Sequence, residues 1–155
     1  MVRIFQLLDP ECIELNLNSK KKRDVIKEMV DVLYRAGKIK NPEKLEEALI
    51  QREKMGTTGI GGEIAIPHVM MEDIPQTVMM FGRKKDGVKF DSIDGEPVRL
   101  LFLLVGPKGE ASFHLKLLCK LSRLLHNTKF KSSLMKAEKK EEIIELFKAE
   151  EEREG

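Results

Sequence analysis

The feature that most constrains this chain is an unbroken apolar run at residues 100–105, Leu-Leu-Phe-Leu-Leu-Val, closed by Gly106-Pro107. The run is far too short to span a membrane, and it has no polar position to turn toward water. Residues 98–105 are therefore predicted to be the central strand of a sheet covered on both faces.

The rest of the pattern supplies the cover. Residues 13–17 alternate as a half-buried strand, and Ser19 then offers an N-cap for a helix carrying Val25, Ile26, Met29, Val30 and Leu33. Gly37 stops it. Asn41-Pro42 is a second start signal, for a helix that turns Leu45, Ala48 and Leu49 inward and reaches about Lys54, with Gly56 ending it. A glycine-rich loop follows, then a short strand at residues 64–66 halted by Pro67. Residues 77–83 form another strand, with Asp86-Gly87 as the turn after it. Ser112 is expected to cap a helix striped by Leu117, Leu118, Leu121, Leu124 and Leu125. Shorter helices near residues 129–136 and 140–149 complete the chain, and the tail from about residue 150 should fray. Strands interleaved with helices imply an α/β fold: a single small mixed β-sheet flanked by helices on both faces, formed as one domain over residues 1–155.

Composition narrows the function classes. The chain has 155 residues, 41% of them hydrophobic, which suffices for one core without disulfides or a structural metal. Cys12 and Cys119 each sit in an apolar pattern outside any C-x-x-C pair and are read as buried, reduced thiols. A net charge of +2 and only 5% aromatic residues give no basis for a nucleic-acid groove. Without a membrane-length apolar stretch or a leader-length start, a cytoplasmic protein with no membrane insertion is expected.

Chemistry-bearing residues cluster around the glycine loop. Gly56, Gly59, Gly61 and Gly62 let backbone amides approach an anion closely, although the spacing matches neither the P-loop nor the dinucleotide fingerprint, and a tight structural turn explains it equally. Thr57 and Thr58 carry hydroxyls able to bind phosphate oxygens, though threonine is ordinary in turns. His68 follows the short strand, with Pro67 fixing the exit, so its imidazole should project from a strand end where it can act as a nucleophile. A lone histidine there is more often merely structural. His114 falls in the first turn of the helix after residue 107, on the stripe facing the sheet and at the positive end of the helix dipole. Arg52 lies in the last turn of its helix, where it either steadies the dipole or forks onto a phosphate.

Taken together these residues are recognisable. Arg52-Glu53, then Thr58-Gly59-Ile60-Gly61, then Ile64-Ala65-Ile66-Pro67-His68 resembles the signature of the family 2 IIA domains of the bacterial phosphotransferase system, of fructose, mannitol and nitrogen-regulatory types. The likeness continues through residues 90–98 and through His114-Leu115 to Leu121-Ser122, covering nearly the whole chain. Two departures stand out: Glu63 where relatives usually have glycine, and Val69-Met70-Met71 after the histidine.

The resemblance implies that His68 accepts phosphate through Nε2 from an HPr-type phosphocarrier protein, with Arg52 and His114 stabilising the phosphoryl group and no cofactor or metal required. The acceptor is implied to be a sugar-specific IIB domain or, in the regulatory alternative, target proteins bound according to phosphorylation state. Ile60, Val69, Met70, Met71 and Phe113 are candidates for an apolar docking ring, with burial in the core the competing reading. The run Lys20-Lys21-Lys22-Arg23 is compatible with the regulatory type but reads first as a solvated helix face. A metal-dependent hydrolase using His68, His114 and Glu63 is a poor fit, because no metal-ligand spacing occurs and Arg52 would repel a cation.

Overall fold

The computed structural model describes residues 3–154. Among these residues the order is α1 (Ile4–Leu7), β1 (Ile13–Glu14), α2 (Lys22–Arg35), α3 (Pro42–Lys54), β2 (Gly59–Gly61), β3 (Ile64–Ala65), β4 (His68–Met71), β5 (Val78–Val88), β6 (Val98–Pro107), α4 (Ala111–Leu125), α5 (Thr128–Lys136) and α6 (Lys140–Glu154). None of the described helices is long and apolar enough to cross a membrane.

The apolar run is the organising strand. β6 pairs antiparallel with β5 along one edge, and along the other it pairs parallel with both β3 and β4. β1 extends the sheet parallel to β5, and β2 closes it antiparallel to β3. Because side chains alternate across a strand, Leu101, Leu103 and Val105 bury against α2 and α3, while Leu100, Phe102 and Leu104 bury against α4, α5 and α6. Helices thus cover both faces of a mixed six-stranded sheet, as the run requires.

Several local expectations are corrected. The first strand stops at Glu14 because the Leu15 carbonyl accepts from Nε of Arg83, a buried side chain that displaces the ladder. Ser19 does not cap α2; its hydroxyl donates to Glu28 at 2.7 Å, and the helix begins at Lys22 behind an extended Lys21. Asp86-Gly87 does not end β5, which continues to Val88 through a register shift with Gly87 at φ +89°. α4 starts at Ala111, so Ser112 lies inside the first turn and caps nothing. Cys119 is exposed, whereas Cys12 is buried.

The tail from residue 150, expected to fray, is helical as far as Glu154. The Glu151 carboxylate is 2% exposed and accepts from the amides of Ile4 and Phe5 at 2.8 and 2.9 Å, with Lys120 paired at 2.7 Å. It supplies acceptors for amides of the opening helix that have none within it. Gly37 and Asn41 behave as expected: Gly37 follows α2 at φ +73°, and the Asn41 side chain accepts from the Lys44 amide.

Candidate functional site

His68 opens β4. The expected exit from a strand end is replaced by a restart: pairing lapses at Ile66 and Pro67 and resumes with His68 opposite Leu104 of β6. Proline has no amide to offer a ladder, which explains the gap, while its carbonyl still accepts from Leu104 at 3.0 Å. The break lets the imidazole fold back on its own strand, with Nδ1 2.7 Å from the Ile66 carbonyl oxygen. A carbonyl can only accept, so the neutral ring carries its proton on Nδ1 and keeps a lone pair on Nε2.

Electrostatics hold that ring uncharged. Burial pushes the His68 pKa below its ordinary value and the positive Arg52 acts in the same direction, against the opposing pull of the Ile66 hydrogen bond and Glu53. His114, on α4, packs its ring centroid 5.6 Å from that of His68. Its pKa is also lowered, by burial first and by His68 second. Arg52 lies in the last turn of α3 with Nη1 donating to the Gly56 carbonyl at 2.9 Å, which fixes the guanidinium beside the site without cancelling its charge. Two uncharged imidazoles and one guanidinium therefore converge, a set suited to a dianion that is absorbed by positive charge and ring N–H groups.

The glycine loop is a hairpin. β2 and β3 pair Gly59 with Ala65 and Gly61 with Ile64, and the turn between them holds Gly61, Gly62 and Glu63 at positive φ. Ile64 is level with Leu100 on β6, four residues below the Leu104 level of His68, so Gly61 sits on the order of 13 Å along the sheet from the imidazole. The turn amide of Gly62 donates to Asp94 at 3.0 Å. Gly61 is thus at the far end of the hairpin and serves its turn. Gly59 is required for closeness: a Cβ there would lie 2.9 Å from the Cα of Ser92. Glu63 occupies φ +71°, a left-handed conformation that costs a side chain roughly 1–2 kcal/mol and explains why glycine suits this position.

The threonine hydroxyls donate their protons to internal acceptors, which leaves no O–H to offer a phosphate oxygen. Thr58 is buried, with its amide donating to Glu53 at 3.0 Å and its hydroxyl to the other carboxylate oxygen. Thr57 donates to the Phe90 carbonyl and accepts from the Gly59 amide. The residue that sequence reading passed over is Glu53, whose side chain is 6% exposed and also pairs with Lys22 at 2.8 Å. Lys22, lying 4.8 Å from the Phe90 ring centroid, is accordingly drawn out of the supposedly solvated basic run. A carboxylate adjoining a site arginine was the available signal.

Of the candidate docking residues, Ile60 is exposed, while Val69, Met70 and Phe113 are half-buried. Met71 is a core residue packed with the α2 and α3 face. Three apolar side chains near the site went unnoticed: Met55 beyond Arg52, Ile93 beside Gly59, and Leu115 next to His114, exposed by 84%, 74% and 60%. Met55 and Ile93 each interrupt a polar stretch, which was their signal, whereas Leu115 was hidden among the apolar residues of its helix.

Comparison with known proteins places this geometry. The sequence model of the phosphoenolpyruvate-dependent sugar phosphotransferase system, EIIA 2, matches residues 6–150. A fructose-specific EIIABC component of Bacillus subtilis is 40% identical over 94% of this chain, which spans only 23% of that protein's length. A nitrogen regulatory protein of Bradyrhizobium diazoefficiens is 37% identical over 80% of each chain. The crystal structure of nitrogen regulatory protein IIA-Ntr from Neisseria meningitidis superposes with a TM-score of 0.88 at 31% identity, covering 93% of this chain and 98% of that one. With the family pattern running from the first helices to the last, the chain belongs to the EIIA 2 family of the phosphoenolpyruvate-dependent sugar phosphotransferase system.

Proposed function

We propose that this domain is a phosphoryl carrier that takes phosphate from the phosphohistidine of an HPr-type donor onto Nε2 of His68 and passes it to a IIB component of fructose or mannitol type. The observation carrying this reading is the 2.7 Å contact between Nδ1 of His68 and the Ile66 carbonyl, which leaves Nε2 as the nucleophile. In the transfer, the donor N–P bond breaks as the Nε2–P bond forms, in line and through a loose transition state. The Nδ1 proton stays in place. The Ile66 carbonyl supports the positive charge that the ring gains, while Arg52 and His114 take up negative charge on the phosphoryl oxygens. Because the ring is neutral before attack and cationic after it, the phosphoryl group remains attached to a good leaving group and can move on. Ile60, Val69, Met70 and Phe113, joined by Met55, Ile93 and Leu115, form the apolar rim on which donor and acceptor would dock in turn.

Likeness to the nitrogen regulatory proteins supports a second reading, in which the phosphorylation state of His68 controls binding to regulatory targets. Reconstituting the relay with labelled phosphoenolpyruvate tests the shared step. Wild type should be labelled and His68→Ala should take up nothing; full labelling of that variant eliminates the assignment. Adding a purified IIB component then separates the readings, since a carrier loses its label to it and a regulator keeps it.

A further inference from the structure

Two buried polar atoms behind the histidine pair have no hydrogen-bond partner: Nδ1 of His114 and Oγ1 of Thr77. They approach the same point. A methyl group on Gly106 would lie 3.1 Å from the one and 3.3 Å from the other. Thr77 immediately precedes β5, and Val78 pairs with Val105, so the threonine stands across the sheet from Gly106. His114 reaches the same spot from α4 and is 5% exposed; Thr77 is 9% exposed. Gly106, an unexplained glycine in the central strand, is explained by this convergence, because any side chain would occupy the space the two groups share.

We propose that Thr77 is a positioning residue whose hydroxyl is linked to Nδ1 of His114 through one water over Gly106, and thereby helps to hold His114 with its proton on Nε2. This rests on the phosphoryl-carrier reading for its purpose but not for its test. Buried polar groups left unpaired are costly, so the two atoms have reason to satisfy each other. A hydroxyl can donate or accept, so the pocket selects the direction of the bond, and the bond in turn stabilises the tautomer so selected against the other. With Nδ1 turned to Gly106, Nε2 is the nitrogen that faces the pocket shared with His68. There the lone pair on Nε2 of His68, and later a phosphoryl dianion, both repel a second lone pair. His114 consequently keeps its proton on Nε2, and the Thr77 hydroxyl donates.

Long-range proton–nitrogen correlation spectra of the nitrogen-15-labelled protein read the tautomer before any phosphorylation. In wild type, His114 should show a lone pair on Nδ1 and a proton on Nε2. Thr77→Val, of the same shape without the hydroxyl, should move both ring nitrogens toward a mixture of tautomers, and Thr77→Ser should restore the wild-type pattern. Transfer in the reconstituted relay should slow about tenfold in Thr77→Val, the cost of a weakened donor to the phosphoryl group, and recover in Thr77→Ser. A proton on Nδ1 in wild type, or unchanged His114 nitrogens in Thr77→Val even with slowed transfer, overturns the proposal. Failure of wild type to take up label would instead overturn the carrier reading and leave the tautomer result standing.

Discussion

Glu53→Ala should disable the loop that frames the site, and the size of the effect can be worked from its contacts. The carboxylate receives the amide and the hydroxyl of Thr58, which is 3% exposed, and the ammonium of Lys22. Truncation leaves the two Thr58 donors buried without acceptors, at about 1–3 kcal/mol each. Lys22 loses its partner too, but its side chain is 20% exposed and can turn to water, so that loss adds about 0–1 kcal/mol. The expected total is about 2–7 kcal/mol, and with ~2–4 °C per kcal/mol for a domain of this size, melting should fall on the order of 10 °C. Urea denaturation measures the global loss, and amide exchange at Thr58 measures any part taken as local opening. Glu53→Gln retains one acceptor and should lose about 1–2 kcal/mol. An Ala variant within 1 kcal/mol of wild type, with Thr58 still protected from exchange, would refute the assignment of Glu53 as the loop's anchor.

Arg83 is 3% exposed and donates to the carbonyls of Leu15, Leu134, Met135 and Ala137, joining β5 to the end of α5. Arg83→Met should cost about 3–5 kcal/mol by equilibrium denaturation, and a loss below 1 kcal/mol would show that these carbonyls find other partners. For the histidine pair, the folded protein holds both pKa values below the ordinary value of 6.5. The unfolded chain therefore binds more protons between the folded and unfolded pKa values, so this contribution to stability is complete above the unfolded value and is lost as pH falls through and below it. Ring proton resonances should titrate below the ordinary histidine value for both residues, and titration at or above it for either would contradict a neutral pair.

The central strand, the stripes of α2 and α4 and the Asn41-Pro42 start were legible because each depends on local periodicity or capping chemistry. What was not legible depends on long-range partners. Ser19 reads as a cap until Glu28 is seen to take its hydroxyl, and residues 15–17 read as strand until Arg83 reaches the Leu15 carbonyl. Glu151 lies in a run of charges that looks like a fraying tail, yet it binds amides 146 and 147 residues away. The site divides in the same manner. His68, His114 and Arg52 were visible as residue types at telling positions, and the structure draws the two rings together with the guanidinium beside them. Thr57, Thr58 and Gly61 were visible for the same reason but are engaged by Phe90, Glu53 and the hairpin turn. A hydroxyl or glycine near a site cannot be assigned to a ligand until its internal partners are known.

The two arginines show how one chemistry serves opposite ends. Both guanidiniums are hydrogen-bonded by carbonyls rather than by carboxylates, which positions them without a contact ion pair, although Glu142 acts on Arg83 electrostatically. Around Arg83 four carbonyls from two segments, residue 15 and residues 134–137, hold Nε and Nη1, burial completes the enclosure, and the cation becomes a structural tie. Arg52 is held by the Gly56 carbonyl while half-buried, and the neighbouring Glu53 directs its oxygens to Thr58 and Lys22. On the proposed function an arriving dianion would meet a guanidinium whose position is already set, so less side-chain entropy would be lost on binding and no contact ion pair would have to be broken first. If Glu53 were freed to pair with Arg52, the positive potential at His68 would fall although His68, His114 and Arg52 all remained present. The loop anchor and the electrostatics of the site are consequently one device.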